Sequence, residues 1–386
     1  MKKLTLVFFL FAFICSNGQQ RKVLNIPNLP GYVTLKCDFH IHTIFSDGSV
    51  WPSIRVLEAW RDGLDVIAIT DHINYKWSFL DKYVTSKDFN NSYEIAKLTA
   101  DELGITLVKG AEVNRALPPG HLNVLFATDL NRLTDTNLYV ALSEAKAQGA
   151  FIQWNHPWDQ KSEPIQWFDV IEKIYQKGLL NGLELNKNGV DNEQVGKWAD
   201  EKGLTITCNS DIHESIDWYY NSNTRSRPVT LVFSKTKAIE DIRDAVLAGR
   251  TAALFNNSII AKEEFLRPLF TQSVSVIDLP MIIEDKKKFV QVENKSAVDF
   301  VLNLRSKPGK IKFPQTIRLN SNSSSLFTIG IPDLNLIANK EFLGAEYEVE
   351  NMRNLKGEPL IVPIRIKVLQ PVKMVPYLKK PYPAVQ

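Results

Sequence analysis

Short apolar runs alternate along the chain with segments whose apolar residues recur at helical spacing. Runs such as Val66–Ile69 and Ala150–Trp154 have the length and composition of buried strands. Segments such as Trp51–Asp62 carry an apolar stripe and are followed by a glycine, which is a common signal for the end of a helix. The same reasoning predicts strands at Val33–Cys37, Ile105–Val108, Leu122–Phe126, Gly182–Leu185 and Leu204–Cys208, and helices at Ser92–Leu103 and Leu138–Gln148.

The order of these elements predicts the fold class. From about Val33 to Phe255, a short strand is followed by a polar motif and then by a helix, and this unit repeats. Such repetition predicts an α/β fold with a parallel sheet closed as a barrel. Active sites of β/α barrels lie at the carboxyl ends of the strands, where the polar motifs of this chain fall. We therefore expect residues 28–261 to form a barrel that carries the chemistry.

The pattern changes after about Lys262. The rest of the chain has no histidine or cysteine, and its short apolar runs are separated by turn-forming residues. We expect residues 262–386 to form a small all-β sandwich, with a β-turn at Asp285–Phe289 and a loosely ordered, proline-rich tail at Pro371–Pro383. The predicted strands are Val274–Ile277, Phe289–Val292, Val298–Leu304, Ile317–Leu319, Leu326–Ile331 and Ile361–Leu369.

The first residues are organised like a secretory signal peptide. Met1–Lys3 supply positive charge, Leu4–Ile14 are apolar but too few to span a bilayer, and small residues follow up to Gly18. Cleavage near Gly18, which removes residues 1–18, predicts a periplasmic or secreted protein. Lipidation at Cys15 is the less favoured alternative, because large apolar residues precede this cysteine where a lipoprotein signal has small ones. No other segment of the sequence is long and apolar enough to predict a transmembrane helix.

Composition narrows the class of protein without identifying a partner. The chain of 386 residues is 44% hydrophobic and 23% charged, which is typical of a soluble globular protein of two domains. A formal net charge of +3 gives no strong reason to expect a nucleic acid or an anionic membrane as a partner. Beyond the leader only Cys37 and Cys208 remain. Buried free thiols are the favoured interpretation, and a bridge between the two stays open.

The histidines give the strongest chemical signal. All six lie in short polar motifs that follow apolar runs, at His40, His42, His72, His121, His156 and His213. In an extended His-x-His segment both imidazoles face the same side. The same motifs contain the carboxylates Asp47, Glu112 and Asp211, and a mixed set of imidazole and carboxylate ligands suits Zn, Mn or Fe. The sequence therefore predicts a site for two or three divalent transition-metal ions.

The motifs occur in a characteristic order. They are Asp38-Phe-His40-Ile-His42, Ser-Asp47-Gly, Ile-Thr-Asp-His72, Gly-Ala-Glu112, Gly-His121, Asn-His156-Pro and Ser-Asp211-Ile-His213. From about Val33 to Phe255, this order resembles that of the polymerase-and-histidinol-phosphatase (PHP) family of metal-dependent hydrolases. Further features, among them Pro-Pro-Gly-His121 and Arg227-Pro-Val-Thr-Leu-Val, are similar to the exported Sb-PDE-type phosphodiesterase branch.

The resemblance implies a distorted seven-stranded β/α barrel with a trinuclear site. Three groups of ligands would hold the three ions. The groups are His40, His42, Glu112 and Asp211; Glu112 as a bridge with His121 and His156; and Asp47, His72 and His213.

Other polar and aromatic residues near the motifs are weaker candidates. Asp38 and Asp71 adjoin ligands and are predicted to orient them. Arg227 is predicted to bind phosphate and is assigned a catalytic role together with Asp211 and Glu112. The remaining candidates are Arg225, Lys109 and Arg115 as further phosphate contacts, and Trp154 and Trp158 either as walls of a pocket for an apolar ester group or as packing residues.

The predicted cluster suggests a reaction. Two or three such ions would bind a phosphoryl oxygen, generate hydroxide at neutral pH and stabilise the leaving oxygen. We therefore predict an exported hydrolase that cleaves a small-molecule phosphodiester by metal-activated hydroxide. One alternative is a phosphomonoesterase, or a carbamate or carboxylic ester hydrolase, on the same cluster. Another is a surface binding protein with structural metals, in which the C-terminal sandwich binds the partner.

Overall fold

The computed structural model describes residues 19–73, 84, 88–158, 160, 165–185, 193–220, 226–306, 309–369 and 373–375. The predicted signal peptide, including Cys15, and the candidate Arg225 lie outside these residues. No helix among the described residues is long and apolar enough to cross a membrane.

Strands and helices alternate over the first two thirds of the chain, as the hydrophobic pattern predicts. The strands are β1 (Val33–Asp38), β2 (Val66–Ile69), β3 (His72–Ile73), β4 (Thr106–Val113), β5 (Leu122–Leu125), β6 (Phe151–Trp154), β7 (Gly182–Leu185), β8 (Thr205–Cys208), β9 (Val229–Ser234) and β10 (Thr251–Phe255). The helices are α1 (Pro52–Arg61), α2 (Asn91–Leu103), α3 (Leu138–Ala147), α4 (Asp169–Gln176), α5 (Glu193–Lys202), α6 (Ile216–Tyr219) and α7 (Ile239–Leu247). The three predicted helices are α1, α2 and α3, whereas β9 and β10 were not among the predicted strands.

The sheet that these strands form is only partly parallel. Its order is β10-β9-β1-β2-β4-β5-β6-β7-β8. The pairs β1–β2, β2–β4, β6–β7 and β7–β8 are parallel, whereas β5 runs antiparallel to both neighbours and β9 runs antiparallel to β1 and β10. The connection from β4 to β5 is too short for a helical crossover, so these strands are antiparallel. The expectation of a parallel sheet is corrected at β5, β9 and β10.

Threonine side chains join the two ends of this sheet. The hydroxyl of Thr251 on β10 donates to the Ile206 carbonyl on β8 at 2.7 Å. The backbone N–H of Cys208 donates to the hydroxyl of Thr230 on β9 at 2.8 Å. The curved sheet therefore has the character of a distorted barrel, and the count of seven barrel strands stays a prediction. Cys37 and Cys208 are both free and buried, so no bridge joins them.

The C-terminal third is built mainly from strands in two sheets. Its elements are β11 (Ser258–Ala261), α8 (Glu263–Ser273), β12 (Val274–Ile277), β13 (Ile282–Glu284), β14 (Lys287–Asn294), β15 (Phe300–Leu304), β16 (Thr316–Leu319), β17 (Ser323–Gly330), β18 (Phe342–Arg353), β19 (Pro359–Lys367) and β20 (Lys373–Val375). One sheet contains β12, β13, β14, β17 and β20, and the other continues from β10 through β11 into β18, β15, β16 and β19. Because β11 pairs with β18, one sheet crosses the predicted domain boundary at residue 262, and that boundary stays a prediction.

The predicted turn, the all-β composition and the loosely ordered tail of this region have different outcomes in the structure. Asp285 and Lys286 have left-handed φ angles of 48° and 59° and connect β13 to β14, so the predicted β-turn is confirmed at these two residues. Helix α8 interrupts the region that was predicted to be all β. Lys373–Val375 lie in the tail that was expected to be loosely ordered, but they pair with β13.

Candidate metal centre

The ends of β1 and β8 lie side by side and present four of the predicted ligands to one side. Ile41, after β1, bridges Ile212, after β8, and both side chains are buried. The backbone N–H of His42 donates to the Ile212 carbonyl at 3.0 Å and fixes the pairing. Because side chains alternate along an extended chain, the residues beside Ile41 face the opposite direction, and the residues beside Ile212 lie against them. These residues are His40, His42, Asp211 and His213.

The other histidines come from neighbouring strands. His72 on β3 pairs directly with Glu112 on β4. His121 precedes β5 and His156 follows β6. Because β5 runs antiparallel to β6, the start of β5 lies opposite the end of β6, which brings the two imidazoles together with ring centroids 5.0 Å apart. The antiparallel strand that departs from the predicted fold therefore brings the candidate ligand His121 to the predicted site.

Asp47 reaches the cluster from a turn that packs against the end of β1. The backbone N–H of Gly48 donates to the Thr43 carbonyl at 3.0 Å and closes this turn. A Cβ on Gly48 would lie 2.7 Å from the carbonyl carbon of His42, so the turn requires glycine at this position. The Asp47 carboxylate consequently lies 3.1 Å from His72 Nε2 and 3.3 Å from His213 Nε2.

Glu112 lies at the centre of the cluster and is buried. Its Oε1 is 3.3 Å from His121 Nδ1 and 3.4 Å from His40 Nε2. Its Oε2 is 2.8 Å from His72 Nδ1 and 3.5 Å from His42 Nε2. The two oxygens therefore face different histidines, as expected of a carboxylate positioned between ions.

The spacing of these atoms fits metal ligation. Asp211 Oδ1 lies 3.2 Å from His40 Nε2 and 3.3 Å from His42 Nε2, and the two ring nitrogens are 3.1 Å apart. Two ligands of one ion, each about 2.0–2.2 Å from it, lie roughly 3–3.5 Å apart. The groups compact enough to hold an ion are His42, Asp47, His72 and His213; His40, His42 and Glu112; and His72, Glu112 and His121. His156 Nε2 is 3.6 Å from Glu112 Oε1.

The close packing of imidazoles and carboxylates shifts their proton affinities. Burial and the neighbouring His213 lower the pKa of His42 to about 3. Burial alone would lower the pKa of His72, but Glu112 and Asp47 raise it to about 10. Burial would raise the pKa of Glu112, but His40 and His72 hold it well below its ordinary value. The metal-free cluster therefore keeps its central carboxylate ionised.

Two ligand candidates adopt backbone conformations that L-residues rarely occupy. His156 has φ of 30° and Asp211 has φ of 48°. Conformations of this kind cost on the order of 1–3 kcal/mol each and persist where the surrounding structure holds them. Backbone hydrogen bonds do so here, since Asp211 N donates to the His40 carbonyl at 2.9 Å and His156 N donates to Glu184 Oε2 at 3.1 Å. Both strained residues aim side chains at the cluster.

Glu184 on β7 is a functional candidate that the sequence analysis missed. Its Oε1 lies 3.0 Å from His40 Nδ1 and accepts a hydrogen bond from Asn209 at 2.9 Å. A carboxylate at Nδ1 fixes the tautomer of a histidine and leaves Nε2 for a metal. The available signal was an acidic residue inside the short apolar run Gly182–Leu185, which becomes a fully buried strand.

Arg55 on α1 is a second missed residue and is fully buried. Its Nε donates to the His42 carbonyl at 2.9 Å, and its Nη2 donates to the His213 carbonyl at 2.7 Å. Its Nη1 donates to Glu58 at 2.8 Å and to the Glu214 carbonyl at 2.7 Å. One guanidinium thus ties together the two backbone segments that carry His42 and His213. Sequence pattern gives little signal for this role, because Arg55 lies inside an amphipathic helix.

The predicted orienting residues Asp38 and Asp71 act on the backbone rather than on imidazole rings. Asp38 Oδ1 accepts the backbone N–H of Ser210 at 3.1 Å. Asp71 Oδ1 accepts the backbone N–H of Thr43 at 2.7 Å and the hydroxyl of Ser46 at 2.6 Å. Each carboxylate therefore holds a loop that carries ligands.

The structure corrects the prediction that Arg227 binds phosphate. Its guanidinium is buried beside β1, where Nη2 and Nε donate to Asp38 Oδ2 at 2.8 and 3.0 Å. Its Nη1 donates to Asp62 at 3.3 Å. These donors are committed to carboxylates, and Arg227 does not line the cavity above the cluster. It supports Asp38 instead.

The weaker candidates divide into cavity residues and packing residues. Lys109 pairs with Glu94 at 3.0 Å and does not line the cavity. Trp154 is buried in the core, where its Nε1 donates to the Pro119 carbonyl at 2.9 Å. Trp158 lines the cavity and presents its ring to His156 in an edge arrangement with centroids 6.0 Å apart.

A cavity of about 880 Å³ opens above the cluster. Its volume is typical of small-molecule sites. The lining residues are Asp47, His72, Ile73, Glu112, Asn114, Arg115, Ala116, His121, Thr136, His156, Trp158, Asp211 and His213.

Comparison with known proteins identifies the family. The model of the PHP domain matches residues 38–312. A structure from Bacteroides vulgatus, described as a two-domain protein containing a predicted PHP-like metal-dependent phosphoesterase, is 33% identical, with a TM-score of 0.82 over 91% of this chain and 100% of that chain. A lesion-specific endonuclease from Pyrococcus furiosus is 14% identical, with a TM-score of 0.40 over 60% of this chain and 59% of that chain. Comparison with curated proteins gives no match.

The chain therefore belongs to the PHP domain family, as the order of its motifs predicted. The fold and the cluster together define a protein built to bind metal at the strand ends of a mixed α/β sheet. The narrower resemblance to the Sb-PDE-type branch stays a prediction.

Proposed function

We propose that the protein is an exported, metal-dependent phosphodiesterase with a trinuclear site. The observation that carries this proposal is the convergence of six imidazoles and three carboxylates below one cavity of about 880 Å³. A structural metal ion is held by four protein ligands in a closed site. A ligand set this large, beside an open cavity, instead favours catalysis.

Three ions would divide the ligands as the family resemblance implies. His40, His42, Glu112 and Asp211 would hold the first ion. Glu112 would also contact the second, with His121 and His156, and Asp47, His72 and His213 would hold the third. The group of His42, Asp47, His72 and His213 supports the third assignment. His72 also lies close to Glu112 and His121, so it faces two of the proposed positions.

When bound, divalent ions would polarise a phosphoryl oxygen and lower the pKa of water. Three described side chains that could act as nucleophiles near the strand ends, those of Thr43, Ser46 and Cys208, are poorly placed for this reaction. The hydroxyls of Thr43 and Ser46 both donate to Asp71. Burial raises the pKa of the Cys208 thiol, and this side chain is not exposed to the cavity. Hydrolysis by water, with Glu112 and Asp211 at the reacting centre, is therefore the proposed route.

The shape of the cavity favours a diester over a smaller substrate. A phosphoryl group resting on the ions would occupy only part of the volume. Ile73, Ala116 and Trp158 supply apolar wall for an ester group, while Asn114 and Thr136 supply polar wall. A phosphodiester carries two ester groups, and both must fit within the cavity. Export rests on the leader-like pattern of residues 1–18.

Relative rates on three p-nitrophenyl esters test the proposal. We expect bis(p-nitrophenyl) phosphate to be cleaved with a higher kcat/KM than p-nitrophenyl phosphate or p-nitrophenyl acetate. A preference for the monoester or the carbon ester would replace the diester assignment with one of these alternatives. Metal binding without turnover of any ester would favour a binding protein with structural ions.

A further inference from the structure

Arg115 is the one arginine among the described residues that line the cavity. It follows Glu112 on the loop after β4 and is half-buried. Its Nη1 donates to the Asn114 carbonyl at 2.6 Å, and its Nη2 donates to the Asp135 carbonyl at 2.7 Å. Two carbonyls on separate loops therefore hold the guanidinium in place.

Among the described residues, Arg115 has no acidic partner within ion-pair distance, although Asp135 acts on it at longer range. Across the described part of the chain, no carboxylate lies within ion-pair distance of this guanidinium, and its buried Nε makes no hydrogen bond. Burial lowers the pKa of Arg115, and the carboxylate of Asp135 only partly offsets this effect. By contrast, the neighbouring Arg132 pairs with Glu144 at 2.9 Å and does not line this cavity.

A guanidinium presents five N–H donors, and Arg115 makes two hydrogen bonds to the residues that the structure describes. Neither of them goes to a candidate metal ligand. Arg115 thus adds a fixed positive charge to the wall of the cavity that also contains the cluster. An arginine with unused donors is well suited to bind a carboxylate or a phosphate group.

We propose that Arg115 binds a second anionic group of the substrate, beyond the phosphoryl group that rests on the ions. This proposal rests on the proposed function and narrows its substrate class to phosphodiesters that carry a further phosphate or carboxylate on one ester arm. Arg115 would select the substrate by binding this arm.

A matched pair of substrates tests the proposal. Thymidine 5′-(p-nitrophenyl phosphate) and its 3′-phosphorylated form differ only in one anionic group. With the metal-loaded full chain, we expect the 3′-phosphorylated form to have a KM about 10-fold lower, the scale of one hydrogen-bonded charge pair. Arg115→Gln should remove this preference by raising the KM of the 3′-phosphorylated form, and Arg115→Lys should restore part of it. Arg132→Gln removes the same charge nearby and should leave the preference intact.

Three results would overturn the assignment. They are an absent preference in the native chain, an unchanged preference in Arg115→Gln, or an equal loss in Arg132→Gln, which would indicate only a long-range effect of charge. Calorimetry can measure the binding affinities of thymidine 3′,5′-bisphosphate and thymidine 5′-monophosphate. The ratio of the two affinities tests the same preference without requiring turnover. If the diester is not cleaved but the bisphosphate binds more tightly through Arg115, then the proposed reaction fails while the anion site stands. Equal binding of both nucleotides to the native chain would contradict the anion site itself.

Discussion

The strand ends of the barrel and the C-terminal sheets use buried side chains in opposite ways. At the strand ends, charged and polar side chains are buried and contact one another across long distances in sequence, as Glu112 does with His40 and His72. In β18, the glutamates at positions 346, 348 and 350 alternate with buried Tyr347 and Val349, so the interior is apolar. The first arrangement supports chemistry at a cost in desolvation, whereas the second contributes stability through burial.

The largest expected effect comes from the centre of the cluster. Glu112→Gln removes a charge that faces several histidines, so we expect loss of bound metal and a fall in kcat of about 10³-fold or more, since several kcal/mol of transition-state stabilisation depend on the ions. Metal analysis and steady-state kinetics measure both. Glu346→Gln makes the same change on the exposed face of β18 and should alter neither quantity. Equal effects of the two variants would contradict the claim that the buried charge of Glu112 differs in its role from the exposed charge of Glu346.

The next prediction distinguishes a residue that supports the metal site from a residue that only packs in a hydrophobic core. Arg55→Met leaves Glu58 buried without its partner and frees the carbonyls beside His42, so we expect about 3–5 kcal/mol lower unfolding free energy and weaker metal binding. Leu302→Ala in the C-terminal core should cost roughly 2–5 kcal/mol but leave metal affinity unchanged. Denaturant unfolding and metal titration give the two readouts. A loss of metal affinity in Leu302→Ala would show that the regions are coupled.

A smaller effect is expected where a carboxylate acts through a ligand. Glu184→Gln weakens the acceptor at His40 Nδ1, and changes of this kind reduce metal affinity by roughly 10–100-fold. Titration with Mn²⁺ or Zn²⁺ under a competing chelator measures the change, and excess metal should recover most of the activity. Activity that stays low at saturating metal would indicate that Glu184 does more than orient His40.

The last prediction concerns the pH dependence of stability in the metal-free protein. The pKa of His42 is lowered from 6.5 to about 3. Between these two pH values the unfolded protein binds more protons at His42 than the folded protein does, so stability falls as the pH drops below about 6.5. The pKa of His72 is raised from 6.5 to about 10, so its contribution is lost as pH rises from about 6.5 towards 10. We expect maximal stability near pH 6.5, and a flatter profile with metal bound. Thermal unfolding across pH tests this. A monotonic profile would contradict it.

The contrast between the buried polar strand ends and the apolar C-terminal sheets also explains how far the sequence predicted the structure. The ligand candidates could be found because each lies in a short polar motif after an apolar run, and β7 and β12 have the predicted bounds. Strand β18 was missed because its glutamates break up the apolar runs, although its exposed and buried positions alternate. Arg55 and Glu184 were missed because their roles depend on contacts between segments far apart in sequence. Arg227 was misassigned because a sequence does not show that Asp38 lies beside it.

Metal stoichiometry measured together with activity tests the central claim most directly. Metal-free protein is titrated with Zn²⁺ or Mn²⁺ while turnover of bis(p-nitrophenyl) phosphate is followed. We predict that three equivalents bind per chain and that diester cleavage rises with them to a plateau. Fewer than one equivalent bound, or cleavage that is independent of metal, would contradict the assignment of the cluster as a catalytic metal centre.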